Sequence, residues 1–283
     1  MQCLKIIFIF IFGFLIFKII EKIKNNYTPK KQIKLQNINL DNEILLPNIF
    51  IKKDSKIPKY LFQTYNDKNK IPKKIFENIT KFASDYEYFL HDDLKCRQFL
   101  KEYFIPEVLN RFDDLKGAHK ADLWRYCVLY IYGGIYLDIK TILVKPLNEI
   151  FDHNNKYEFY SSIAYVLNKN NIYQGVLAVN NLNKIMKNSI NFIVNSDINE
   201  INKNYLIFTG FLFQDLENQT FNNNIISGEN ILKNGNKIYL FVEECCNDKT
   251  CPFKTKDRYG LFCKICNTRG EIMFNTRFID FPW

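Results

Sequence analysis

The chain has 283 residues, 47% hydrophobic and 24% charged, enough for one large domain or two small ones with a sizeable core, and too apolar for disorder. Its formal net charge is +9, but the lysines are scattered in short runs such as Lys30-Lys31, Lys52-Lys53 and Lys73-Lys74. No basic stripe is interleaved with aromatics, so no nucleic-acid partner is expected, while a basic cleft would suit an anionic diphosphate.

Residues 4–20 (LKIIFIFIFGFLIFKII) are nearly all Ile, Phe and Leu, with Lys5 and Lys18 near the ends. With those lysines snorkelling, the span approaches the ~17–25 residues that cross a bilayer. A cleaved signal peptide competes with this reading. No small-residue cleavage site follows, so an uncleaved, single-pass signal-anchor is expected. Its orientation stays open. Lys22, Lys24, Lys30 and Lys31 follow the segment, and the positive-inside rule would keep the large domain cytosolic. An enzyme of the secretory route would have it in the lumen. Residues 21–55 are polar, with Pro29 and Pro47, and read as a stem or linker. The globular domain is assigned to residues 56–283.

Within it, residues 59–65 (KYLFQTY) read as a short buried strand after Pro58. Residues 73–82 predict an amphipathic helix, 86–90 a second strand, and 93–104 another helix. The spacing of Ala118, Ala121, Trp124, Val128 and Ile131 predicts a helix over 118–132 with one apolar face. Gly133-Gly134 break it, and residues 135–139 read as the next strand. Apolar runs follow at 175–179, 206–213 and 237–242. Strands alternating with helices predict an α/β fold with a largely parallel sheet.

The chemistry concentrates between Gly117 and Lys140. Asp122 and Arg125 are neighbours on one helix face. The strand that follows places Tyr136, Asp138 and Lys140 on one side and Ile135, Leu137 and Ile139 on the other. A helix followed by a strand whose end carries polar groups makes a ligand site at the strand's carboxyl edge. The bland alternative is an exposed Asp122–Arg125 pair worth a few tenths of a kcal/mol beside an ordinary strand-end carboxylate. The combination, with two glycines between, favours a site.

The pattern A-D-x-x-R-Y followed by G-G-x-Y-x-D-x resembles the sugar-binding region of glycosyltransferase family 32, named for its DXD motif and including fungal initiating mannosyltransferases. It is also similar to the glucosylating domain of large clostridial toxins. Ile57-Pro58-Lys59 and Gln63-Thr64-Tyr65 resemble the family's opening I-P-K-x-I-H-Q-T-W, with Tyr65 at the tryptophan and Phe62 at the histidine. Residues 86–93, Lys145-Pro146-Leu147 and Thr209-Gly210 match further family stretches, the last without its proline. Coverage is good over 57–151 and thin afterwards.

The resemblance implies a GT-A-type, Rossmann-like nucleotide-sugar fold. It implies a hexosyltransferase that moves sugar, with retention, from a nucleoside-diphosphate-sugar to a glycan or protein acceptor. Carried over by position, Gln63, Thr64 and Tyr65 would face the nucleotide, with Tyr65 stacked on the base. Asp122 and Arg125 would hold the donor sugar. Tyr136 and Asp138 would contact ribose, phosphate or metal-bound water. Trp283 stands where related enzymes have a late tryptophan over the donor site.

The chain departs from the family at Lys140, where the pattern has a second, metal-ligating Asp. A departing diphosphate is usually neutralised by Mn or Mg held by carboxylates. A protonated lysine cannot ligate a hard cation, but it can present a point charge to a phosphate oxygen. Three readings stay open: Lys140 replaces the metal, Asp138 alone still holds a weak divalent cation, or the chain is an inactive, membrane-tethered GT-A-like binding protein. Eight cysteines complete the inventory. Cys245, Cys251, Cys263 and Cys266 could hold zinc, form disulfides in a lumenal domain, or stay reduced.

Overall fold

A computed structural model describes residues 39–154, 156–164, 171–246 and 262–276. The expected anchor at residues 4–20 lies outside them, as do Cys251 and Trp283. Among the described residues no helix is long and apolar enough to cross a membrane.

The first strands and helices alternate: β1 (Tyr60–Thr64), α1 (Lys73–Phe82), β2 (Glu87–His91), α2 (Asp93–Tyr103), α3 (Pro106–Asp114), α4 (Ala118–Tyr132) and β3 (Gly134–Leu137). Next come β4 (Ile142–Leu143), the short α5 (Leu147–Ile150), β5 (Phe159–Ala164), β6 (Asn171–Val179), α6 (Lys184–Asn195), α7 (Ile198–Lys203) and α8 (Ile207–Gln219). β7 (Gly228–Ile231), β8 (Lys237–Cys246), β9 (Phe262–Cys266) and β10 (Ile272–Asn275) close the described chain. Helix α3 was not expected from the sequence. Pro106 marks its start, since proline at the first helical position gives up only an N–H that would be unpaired anyway.

The strands form one sheet in the order β2-β1-β3-β6-β5-β8-β9-β10-β4, with β7 on β8. β2, β1 and β3 are parallel. The expectation of a largely parallel sheet fails beyond β3. Only β5 and β8 pair in parallel there, and β6, β7, β9, β10 and β4 join antiparallel. The second half of the chain is rich in strands joined without intervening helices, and such strands return antiparallel. A mixed α/β sheet of this kind fits a GT-A-like fold.

One face of the sheet buries Leu61, Ile135, Leu137, Val176, Ala178, Tyr160, Phe241 and Phe274 in a continuous core. The other face carries α4, packed against α6 and against β1, β3 and β6. Its sequence predicted one apolar stripe. Instead, Leu123 through Ile131 are all buried, including Arg125, because the helix is enclosed by sheet and helices together. Each large apolar side chain there contributes about 1.5–3 kcal/mol.

Gly133 (φ 66°) and Gly134 (φ 101°) turn the chain from α4 into β3. A β-carbon at 133 would sit 2.8 Å from the Asn181 nitrogen, and one at 134 would sit 2.8 Å from the Tyr60 carbonyl oxygen. Both the conformation and the space therefore demand glycine. The expected linker is, in its described part, tied to the folded unit. Ile44 is buried and its carbonyl accepts from Ile105 N–H at 3.0 Å; Leu46 N–H donates to Tyr103 O at 3.0 Å. Asn191 Nδ2 holds the Leu40 carbonyl at 2.9 Å, and Asp54 N–H donates to Asn181 Oδ1 at 2.7 Å.

Where α8 packs on α6, Asp215 is buried. Burial raises its carboxyl to about 7, against hydrogen bonds from Asn188 (2.9 Å) and Gln219 (2.7 Å) that favour the charge. An unfolded Asp titrates at about 3.9. Between about pH 4 and 7 the native state therefore holds the extra proton, and stability falls as pH rises through that window. The urea midpoint is expected to drop across it, and Asp215→Asn to flatten the slope. Equal slopes in both proteins would show that Asp215 does not carry it.

Candidate active site

β1, β2 and β3 end on a common edge, and the α4–β3 turn delivers two polar segments there. β3 was expected to run to residue 139, but it stops at Leu137. The Asp138 carbonyl accepts from Thr141 N–H at 2.8 Å, closing a turn, while Asp138 N–H donates to Gly175 O at 2.8 Å. Lys140 therefore sits in a turn and not in the strand alternation with Tyr136 and Asp138.

Arg125 is the centre of the cluster, 5% exposed. Its Nη1 donates to the Gln174 carbonyl at 2.9 Å. Its Nη2 lies 3.2 Å from Asp122 Oδ1, 3.3 Å from Asp138 Oδ1 and 3.3 Å from the Tyr136 hydroxyl. The guanidinium also covers the Tyr136 ring at 4.5 Å. Burial works against its charge, but Tyr136, Asp122 and Asp138 outweigh that cost and hold its pKa above the ordinary value. Arg125 Nε is buried with no partner.

The carboxylates are set from both sides. Asp122 Oδ2 meets His119 Nδ1 at 3.1 Å, and His119 is packed edge-on to Phe208. Asp138 Oδ1 also accepts from the Tyr136 hydroxyl at 3.1 Å. Burial pushes the Tyr136 phenol well above its ordinary range, so it stays protonated and donates. Gln174 is satisfied when its amide nitrogen faces the Tyr126 hydroxyl (2.8 Å) and Asp122 Oδ1 (3.3 Å) and its oxygen accepts from Thr209 N–H (3.0 Å). The Thr209 stretch thus reaches the site through Gln174, a residue the sequence reading missed for want of any motif around it.

Lys140 is half-buried and acts on Glu243 of β8, a second residue the sequence did not flag. Burial raises the Glu243 carboxyl to about 7, and Lys140 pulls it back down. Gln63 and Thr64 do stand at the end of β1, but their side chains serve the sheet. Gln63 Nε2 donates to Asp138 O at 3.2 Å and Gln63 Oε1 accepts from Tyr88 at 2.8 Å, while Thr64 Oγ1 donates to His91 O at 2.9 Å. Tyr65 packs beside Ile71, Ile75 and Ile139.

Among the described residues no three His, Cys, Asp or Glu side chains gather as a cation cage. At Asp138, Oδ1 is engaged by Arg125 and Tyr136 and the next charge along the chain is Lys140. A divalent cation here would have one carboxylate from the described residues and would take its other ligands from water or a phosphate. Of the proposed zinc set, Cys263 is disulfide-bonded and Cys266 is a buried free thiol. A disulfide sulfur is not the thiolate that zinc takes. The side chain of Cys245 lies outside the described residues.

Removing Arg125 would leave Asp122 and Asp138 partly buried without their cation. Arg125→Met is expected to cost about 3 kcal/mol of stability in urea unfolding, and a loss under about 1 kcal/mol would mean that the carboxylates do not depend on it.

The family profile described as "Glycosyltransferase sugar-binding region containing DXD motif" matches residues 69–157, which hold Asp122, Arg125, Tyr136, Asp138 and Lys140. An uncharacterized glycosyltransferase of Acanthamoeba polyphaga mimivirus is 30% identical over 195 residues, 66% of this chain and 72% of that protein. An initiation-specific alpha-1,6-mannosyltransferase of Candida albicans is 26% identical over 133 residues, 44% of this chain. An inositol phosphoceramide mannosyltransferase of Schizosaccharomyces pombe is 36% identical over 109 residues, 37% of this chain. The matches span 34% and 30% of those two fungal enzymes. No solved structure gives a significant match. With the profile covering Asp122, Arg125 and Asp138 and a relative matched along most of its length, the chain belongs to the glycosyltransferases whose sugar-binding region carries the DXD motif, the family 32 type.

Proposed function

We propose that the chain moves a sugar from a nucleoside-diphosphate donor to a hydroxyl acceptor with retention at the anomeric carbon, and that Lys140 does the work of a metal. The observation that carries this reading is the buried Arg125, tied to Asp122, Asp138 and the Gln174 carbonyl at the carboxyl edge of the parallel strands. A purely structural ion pair rarely repays the cost of burying its charges. Nor does a structural role account for Arg125 Nε and Thr141 Oγ1, two buried polar atoms without partners at the same edge. A bound donor with many hydroxyl and phosphate oxygens would complete them.

In this reading Asp122 and Asp138 accept hydroxyl groups of the donor, while Arg125 fixes both and adds positive field. Lys140 presents its ammonium to the departing diphosphate. Asp122 and Asp138 are both engaged by the Arg125 cluster, which leaves neither well placed as a nucleophile. The acceptor hydroxyl would then attack from the face the diphosphate leaves, its proton passing to the leaving phosphate oxygen. The activities printed for the fungal relatives make mannosyl donors the first to test, with glycan, protein and inositol-lipid acceptors. A membrane tether through residues 4–20 belongs to the same reading, and the disulfide at Cys263 favours its lumenal orientation.

A second reading has one observation behind it. Lys140 lowers the pKa of Glu243, and an ionised Glu243 would offset the lysine's charge, leaving a site that binds a donor without turning it over.

The test is donor hydrolysis and transfer by the detergent-solubilised full chain against UDP- and GDP-linked hexoses, with manganese and with chelator. Activity is expected to survive chelation and to fall about 100-fold or more in Lys140→Ala. Strict dependence on manganese would sink the metal-replacement reading. Lys140→Asp is expected to create a manganese requirement where the parent has none. Tight donor binding with no turnover under any condition would favour the second reading.

A further inference from the structure

β5 and β6 lose register in mid-strand: Tyr160 lies opposite Ala178, but Ser162 lies opposite Tyr173. The surplus residues swell β6 around Gln174 and Gly175, as bulges beside functional sites do. The swelling turns the Gln174 carbonyl onto Arg125 and the Gly175 carbonyl onto Asp138 N–H, at 2.9 and 2.8 Å. It has a third effect. The Tyr173 ring folds back across Gly175, so closely that a β-carbon at 175 would sit 2.4 Å from the Tyr173 hydroxyl oxygen. The ring packs at the border of the core, while the hydroxyl is carried to the Asp138 end of the strand.

That hydroxyl is buried and makes no hydrogen bond. Thr141 Oγ1 lies close enough to influence it, yet neither of the two makes a bond of normal geometry. Burial, with Asp138 and Glu243 nearby, keeps the phenol protonated and therefore a donor. Among the described residues no hydrogen bond is made to Asp138 Oδ2, since Arg125 and Tyr136 both use Oδ1. A donor without an acceptor and an acceptor without a donor thus stand at one strand end. Two carboxylates beside the phenol would repel a phosphate there. A sugar hydroxyl, which both accepts and donates, suits the pair.

We propose that Tyr173 is a sugar-recognition residue: its hydroxyl donates to a hydroxyl of the donor sugar, which donates in turn to Asp138 Oδ2, and Gly175 is the opening that lets the ring lie there. This rests on the donor-site reading above. Removing an unpartnered buried hydroxyl costs the free protein nothing, so a binding role and a packing role separate cleanly.

The experiment is calorimetric binding of the nucleotide sugar that the solubilised full chain selects from the panel, and of the matching nucleoside diphosphate, to the parent, Tyr173→Phe and Gly175→Ala. Tyr173→Phe is expected to bind the nucleotide sugar about five- to tenfold more weakly, with affinity for the diphosphate unchanged. The thermal midpoint of the free variant should equal or exceed the parent's. Gly175→Ala, by displacing the ring, should show the same selective loss. Unchanged affinity of Tyr173→Phe for the nucleotide sugar overturns the proposal alone. Equal losses for both ligands also overturn it, assigning the hydroxyl to the diphosphate, or to packing if the midpoint falls as well. A folded parent that binds no nucleotide sugar overturns the donor-site reading itself.

Discussion

A guanidinium buried on the inner face of a helix is the constraint on which the rest of this structure turns. Arg125 sits on α4 among Leu123, Trp124, Tyr126 and Val128, where an unpaired charge could not persist. It persists because three separate segments converge on it: Asp122 from its own helix, Asp138 from the end of β3, and the Gln174 carbonyl from β6. Each imposes a condition on the fold. α4 must hand over to β3 within two residues, which Gly133 and Gly134 make possible. β6 must run antiparallel beside β3 and swell at the right height. A single cation therefore ties the parallel half of the sheet to the antiparallel half.

Much of this is legible in the amino-acid sequence alone. Helices 73–82 and 118–132 coincide with α1 and α4, because periodic apolar residues and glycine breaks act locally. The Asp122–Arg125 spacing and the Tyr136–Asp138 alternation are enough to put four side chains at one edge. What is not legible is non-local. Gln174, Tyr173 and Glu243 come from strands that reach the site through a register slip and through pairing across the sheet, and neither leaves a mark on the sequence around them. The expectation that β3 runs on past Asp138 errs for the opposite reason. Ile139 continues the alternating pattern, but the Asp138 carbonyl is captured by Thr141 and the pattern is overruled.

Lys140 illustrates how the sign of one side chain sets the charge balance around it. A second Asp here would add an anion near Glu243 and Asp138. Lysine adds a cation, and Glu243 responds to it across the sheet. The site's electrostatics are thus shared between a turn after β3 and the middle of β8, coupled by charge although about a hundred residues of chain separate them.

The segment before β1 has a practical consequence. Residues 40–54 close over α2, α3 and α6: Ile44 fills a buried position, and the backbone of 44–46 pairs with that of 103–105. Cutting the chain near residue 50, as its polar composition invites, would strip that cover. It would leave the Tyr103 and Ile105 main-chain groups to water. A truncated protein meant to be soluble should begin no later than Asn39, or its poor behaviour will be blamed on the wrong end.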